Sequence, residues 1–397
     1  MSDTTAAPAE QVEISRLTLE CVSSGSVSIT EVNHLASYNW IETSTPTIAV
    51  PGSPARWSAP KGPRRVKKDS GLVYIAQNAA RYPESPLEPL FRALYTENPS
   101  FDIQSIDLVT DRNNIRKLLS FVTPGLARDS LEPFTIQVEV ANNTVIFCRD
   151  ETATYDIIGP GDFRGFGREF EKAYTVHELK NSTGHHRVIS YSLADLKLLV
   201  RHETDGYVAH SATSSNVPDS TSDNLSQLLE SLSLTTESIS PHSRLRMRKE
   251  GQAIPRELTL EIKTRVSRKP LLLEEVIPQL WLSQTPKLVR AYHQRGMFAM
   301  PQVEDVTTEI QLWEKSHQQD LKKLTALINK ILQVSRIWGG NSTIRYDAQK
   351  DRLVIQRAGK KRMLPEDLYL NWTKVAPQGE PREYEGLQGT REDIRED

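Results

Sequence analysis

Only two cysteines, Cys21 and Cys148, occur in 397 residues, and they lie far apart in the chain. That scarcity excludes a disulfide-stapled scaffold and argues against a zinc ribbon or a thiol-redox pair; a reducing compartment suits such a chain, with both cysteines as small buried hydrophobes. No apolar run approaches the roughly 18 to 20 residues that a membrane-spanning helix needs. The opening MSDTTAAPAEQVEIS has neither a basic nor an apolar stretch, so no classical export signal and no membrane association are expected. Charge of one sign is not in excess either, with 49 Lys and Arg against 51 Asp and Glu. Missing too are the G-x-x-x-x-G-K-[ST] phosphate loop and the H-E-x-x-H zinc helix. Composition, with 38% hydrophobic and 25% charged residues, is that of a globular protein.

Order is unevenly distributed. From Ser211 to Ser243, 15 of 33 residues are Ser or Thr and none is aromatic. Such a segment cannot bury enough surface to offset its ordering entropy, so a disordered insertion is expected over 208–252. Leu225, Leu228, Leu229 and Leu232 inside it have the spacing of a partner-docking helix or of a transient turn. A charged tail over 376–397 and an N-terminus over 1–12 are expected to be disordered, leaving 13–375 as one catalytic domain without a separately folding second one. Two basic clusters stand out: Lys61, Arg64, Arg65, Lys67 and Lys68, and then Arg244, Arg246, Arg248 and Lys249 at the end of the Ser-rich stretch. Each reads as a solvated strip, a phosphate-attracting patch or a nuclear-import signal.

Chemistry concentrates on either side of the insertion. In RELTLEIKTR, Leu258, Leu260 and Ile262 alternate with Thr259, Glu261 and Lys263, so a strand sends aliphatics to one face and the Glu-Lys pair to the other. In LADLKLLVRHETDGY, Glu203 and Asp205 share a face. If the two strands are neighbours, three carboxylates and an ammonium converge. Clustered carboxylates repel unless a cation neutralises them, and hard oxygen donors suit Mg²⁺ or Mn²⁺. That is the logic of PD-(D/E)xK nucleases, in which a metal polarises a phosphodiester while a lysine orients water or offsets charge. A lone Glu-x-Lys is weak: Glu178-Leu179-Lys180 has the same spacing but runs into a turn-like Asn-Ser-Thr-Gly.

Chain order adds weight. IDLVTDRNNIRKLL carries Arg112, GFGREFEKAYT carries Glu171 and, four residues on, Thr175, and PQLWLSQTPKLVRAYHQRG carries Gln279 and Pro286. With Glu203-x-Asp205 and Glu261-x-Lys263-Thr264, this series resembles the DXO/Rai family of decapping exoribonucleases over roughly Asp69 to Asp305. The resemblance implies Glu171, Glu203, Asp205 and Glu261 as metal ligands, Lys263 positioning water, and Arg112 and Gln279 holding phosphate. It implies a hydrolase of RNA 5′ ends that removes aberrant or NAD caps or pyrophosphate, with 5′ to 3′ exonucleolysis in some members and a nuclear or cytoplasmic home, the nucleus favoured. A non-catalytic scaffold that docks a 5′ to 3′ exoribonuclease partner is the alternative. Departures are Asp111 where the family has an aromatic, Arg201 and His202 before the acidic pair, and the long insertion; they bear on cap selectivity.

The expected fold is α/β, a central mixed β-sheet of PD-(D/E)xK type flanked by helices. Helices are expected over Leu271 to Trp281 and Glu309 to Val334, the second from the stripe Leu321, Leu324, Leu327, Ile328, Ile331 and Leu332. STIRYDAQKDRLVIQRA reads as a hairpin around Ala348 and Gln349. Trp40, Trp57 and Tyr74 read as packing residues, and His185-His186-Arg187 as a strand-edge surface group.

Overall fold

A computed structural model describes residues 10–19, 25–126, 131–209, 237–239 and 243–373. The mixed α/β architecture expected from the sequence is present, with its strands divided between two large sheets. Among the described residues, a twelve-stranded sheet runs from Gln11–Ser15 at one edge to Glu237–Ile239 at the other. Its middle contains, side by side, the strands Leu108–Asp111, Leu196–Glu203, Ser182–Leu193 and Ile29–Ile41. The eight-stranded sheet is built around Gly206–Tyr207, Thr259–Val266 and Lys287–Gln294.

The stripe of leucines and isoleucines forms the buried face of the Gln318–Trp338 helix, which packs with the Arg112–Val122 helix against the larger sheet. Each large aliphatic so buried contributes about 2 kcal/mol. The Asn341–Asp347 and Arg352–Arg357 strands pair as the expected hairpin. Cys148 is buried, as is Trp40, while Trp57 and Tyr74 are half-buried; Cys21 lies outside the described residues.

Several expectations are corrected. The three-residue group His185, His186 and Arg187 is not at an edge: its strand is paired on both sides, and the residues are only 3%, 5% and 1% exposed. Burial is tolerated because Asn39, Gln77 and the Ile254 carbonyl oxygen supply hydrogen-bond partners. The insertion ends earlier than residue 252, since Arg246–Gly251 is a strand in parallel register with Thr47–Gly52, while 210–236 and 240–242, with the leucines from Leu225 to Leu232, lie outside the described residues. Gln11 and Val12, expected to be disordered, pair with Gln356 and Ile355. The tail over 376–397 also lies outside the described residues. The helix expected from Leu271 starts at Ile277, after the short turn Leu273–Glu275, because Pro278 fits only the first turn. The second expected helix is two, Thr307–Ser316 and Gln318–Trp338, broken at His317.

Candidate active site

The sheets meet where the chain passes from one to the other. Leu196–Glu203 belongs to the large sheet, and three residues later Gly206–Tyr207 pairs antiparallel with Leu260 and Thr259 of the smaller one. Glu203, Thr204 and Asp205 therefore sit at the junction, and the Glu261 strand begins beside it. The expected neighbour relation holds, though through the two residues of Gly206–Tyr207 and not through the Glu203 strand itself. Gly206 makes the crossing possible. A Cβ there would stand 2.8 Å from the Ala55 carbonyl oxygen, which accepts the Tyr207 N–H.

Asp205 Oδ2 accepts the Ile262 N–H at 2.7 Å, and the Asp205 carboxyl is within hydrogen-bonding reach of Glu261. Glu261 is 2% exposed. Its Oε1 accepts from Lys263 Nζ and from Gln279 Nε2, both at 2.5 Å, and its Oε2 faces Arg112 Nη1 at 3.4 Å. Glu171 comes from the Gly167–Tyr174 helix, whose Phe170 and Tyr174 bury against Leu260, Ile262 and Phe298. That packing turns Glu171 toward the junction. Asp69 caps the helix by accepting the Glu169 N–H. All seven residues singled out from the sequence thus meet at the sheet junction, beside a recess that Glu203 divides: Arg112, Glu171, Glu203, Asp205, Glu261, Lys263 and Gln279.

Electrostatics divides the acids. Burial first, and Glu203 beside it second, push Glu171 up to about 7. Asp205 is raised well above the usual carboxylate range by burial and by the charge of Glu261. Glu203, open to the recess yet ringed by protein, is raised by desolvation that Arg168 and Arg112 only partly offset. Burial would raise Glu261 as well, but Lys263 and Arg112 outweigh it and hold that carboxylate low. Lys263 is kept protonated, its desolvation outweighed by Glu261.

Two cavities flank Glu203, and Tyr74, Arg168 and Thr183 line both. One, of about 230 Å³, presents five arginines, namely Arg112, Arg116, Arg149, Arg168 and Arg201, against the carboxylates of Asp111 and Glu203. The other, of about 330 Å³, contains Glu171, Asp205 and His185. Sequence reading missed Arg168 and Arg116; each lies near a chosen residue at helical spacing, Arg168 three before Glu171 and Arg116 four after Arg112, and that spacing was the available signal. The two departures at Asp111 and Arg201 compensate each other. In parallel register Arg201 lies opposite Asp111, whose carboxylate grips the buried guanidinium at 2.6 and 2.9 Å, while Arg201 also donates to the Pro86 carbonyl oxygen. With its carboxylate so engaged, Asp111 makes no side-chain cap on the Arg112–Val122 helix.

Among the described residues no three His, Cys, Asp or Glu side chains already form a cage close enough to hold a metal ion. The donor chemistry nevertheless fits a hard divalent cation. Four carboxylates meet at the junction, two of them share hydrogen-bonding reach, and the carboxylates of Glu171 and Glu203 accept no hydrogen bond from the described residues. Their mutual repulsion is the feature that a cation would relieve.

A family model described as a domain of unknown function, DUF8563, matches residues 14–371. Among curated proteins no match is found. Solved structures share the fold. Scheffersomyces stipitis Rai1 in complex with (3′-NADP)⁺ and calcium ion aligns with TM-score 0.56 at 12% identity, covering 93% of this chain and 100% of that one. Candida albicans Rai1 in complex with pU5-Mn²⁺ aligns with TM-score 0.54 at 13% identity, covering 91% and 99%. S. pombe Rai1 aligns with TM-score 0.54 at 12% identity, covering 88% and 100%. The chain therefore has the Rai1 fold, as its resemblance to the DXO/Rai family implied. No helix among the described residues is long and apolar enough to cross a membrane.

Proposed function

Because this chain belongs to the DUF8563 family and carries its acids at the junction of a Rai1-like fold, we propose that it is a divalent-metal-dependent hydrolase of RNA 5′ ends, of decapping or pyrophosphohydrolase type. One observation carries the reading: Asp205 and Glu261, brought together across the sheet junction with Glu171 beside them, lie so close that without a cation Asp205 is driven to keep its proton beside the ionised Glu261. Rai1 of Candida albicans is described with pU5-Mn²⁺ and that of S. stipitis with (3′-NADP)⁺ and calcium, which supports a nucleotide substrate and a divalent ion.

Glu171, Glu203, Asp205 and Glu261 would hold Mg²⁺ or Mn²⁺, which when bound supplies Lewis-acid polarisation of a phosphoryl oxygen and a more acidic water. The protein's own groups do the rest. Gln279 and Lys263 fix Glu261 in orientation through its Oε1. Lys263, a third exposed on its side chain, keeps N–H donors beyond the one given to Glu261, which would orient water or offset charge building on phosphate. Arg112 and Arg168 place two guanidiniums beside Glu203 and favour a phosphate group there.

The test is hydrolysis of a 5′-triphosphate RNA and of an NAD-capped RNA with Mn²⁺, by the full chain and by Glu261→Gln and Asp205→Asn. Both variants are expected to lose activity by about 10³-fold or more, as removal of a charge-stabilising group does, with circular dichroism unchanged. Undiminished turnover in both removes the assignment.

A further inference from the structure

The basic cluster from Lys61 to Lys68 is left unused by the hydrolytic site, yet its placement is specific. Val66 is buried among Phe166, Phe170 and Phe298, and its N–H bonds to the Gly296 carbonyl oxygen, so the segment is pinned to the outside of the Glu171 helix. Its five cations are exposed, and none forms an ion pair among the described residues. Lys68 Nζ lies 5.5 Å from the ring centre of Phe163, itself 59% exposed.

The chain then enters Gly71–Tyr74, which pairs antiparallel with Tyr155–Ile158 as an isolated two-stranded ribbon. Leu72 opposes Ile157 and Tyr74 opposes Tyr155, so these four share one face. Leu72 and Tyr74 also line the cavity that holds Glu171 and Asp205. Leu72, Tyr155 and Ile157 are 53%, 51% and 65% exposed. Arg81 stands over the Tyr74 ring at 5.1 Å, and the other three residues are left uncovered beside an acidic recess, flanked by unpaired cations, which gives the parts of a stacking platform with a phosphate track.

We propose that the ribbon face of Leu72, Tyr74, Tyr155 and Ile157, with Phe163, Lys67 and Lys68 beside it, binds single-stranded RNA leading into the recess, a role that rests on the RNA-hydrolase reading. Charge selects the occupant: an acidic backbone meets the lysines, and only unpaired bases present flat faces to the ribbon. Four ribbon residues at about 3.3 Å each span about 13 Å, room for about four bases at the 3.4 Å per-strand spacing.

The experiment uses the full chain in EDTA, with fluorescence anisotropy of a ten-nucleotide single-stranded RNA bearing a 5′-hydroxyl, and its duplex. Tyr155→Ser/Ile157→Ser is expected to weaken single-strand binding about tenfold with little change in salt slope. Lys67→Ser/Lys68→Ser is expected to flatten the slope of log K against log salt by about 1.4, near 0.7 per phosphate contact. Should the ribbon double variant misfold, Phe163→Ser, in an exposed loop, carries the same expectation. Wild-type affinity in these variants, or stronger binding of the duplex, overturns the platform. So does loss of nuclear accumulation with RNA affinity retained, which would assign the cluster to protein recognition. Since no hydrolysis is needed, Mn²⁺-dependent turnover measured in parallel separates failure of the platform from failure of the hydrolase reading.

Discussion

Protons and metal should compete for the same carboxylates. Without metal, Glu171 sits near 7 against an ordinary value near 4.5, raised by burial and then by Glu203. Between those limits the folded protein holds a proton that the unfolded chain has released, so this group makes metal-free stability fall as pH rises from about 4.5 to about 7. The loss is between about 3 and 4 kcal/mol, at about 1.4 kcal/mol per pH unit. Asp205 is raised in the same direction. Buried histidines act oppositely. His185, His186 and His202 are held neutral, first by burial and then by neighbouring arginines, so their contribution rises with pH toward the ordinary histidine value. A plain melting curve against pH mixes the two signs, but the histidines cancel in the difference between melts with Mn²⁺ and with EDTA. That difference is expected to be small at pH 5 and to grow by several degrees by pH 7.5, because the cation replaces the protons. Calorimetry in buffers of different ionisation enthalpy should show about one proton or more released per ion at pH 6. A Mn²⁺ shift that is equal at pH 5.5 and 7.5, or that persists in Asp205→Asn, defeats this account.

Two further outcomes follow from the packing. Asp111→Ala leaves the Arg201 guanidinium, 2% exposed, without its counter-charge and should cost about 3 to 5 kcal/mol. Arg201→Met strands only the more accessible Asp111, so the double variant should be less destabilised than the sum of the singles by about 2 kcal/mol; additivity within 0.5 kcal/mol in urea titrations counts against the pair. Gly206→Ala forces a Cβ to 2.8 Å from the Ala55 carbonyl oxygen. It should cost about 2 kcal/mol and lower Mn²⁺ affinity by moving Asp205, whereas a neutral result on both would show the crossing to be compliant.

What the sequence disclosed was local. Alternation at Leu260, Glu261, Ile262 and Lys263 and the i, i+3, i+4 stripe of the Gln318–Trp338 helix are periodicities within one element, and both are realised. The hidden features depend on partners far away in the chain. Nothing around Glu203 announces that its strand ends in one sheet while Gly206 starts another. Nor does HHR at 185–187 announce burial, because that follows from having a strand on each side. The insertion ends before residue 252 for the same reason: Arg246–Gly251 is polar and ordered only because Thr47–Gly52 offers a free ladder of N–H and C=O groups.

Asp111 and Arg201 show how such information is lost and recovered. Taken singly, each is an anomaly beside the Arg112 and Glu203 motifs, and neither explains the other across 90 positions of chain. The parallel register between Leu108–Asp111 and Leu196–Glu203 places them opposite one another, and two anomalies become one buried ion pair. That pair ties together the strand ends from which Arg112 and Glu203 project. A substitution there should therefore disturb the phosphate binding proposed for Arg112 and the metal binding proposed for Glu203 together, with neither residue changed, and a loss confined to one of them would separate the pair from the site.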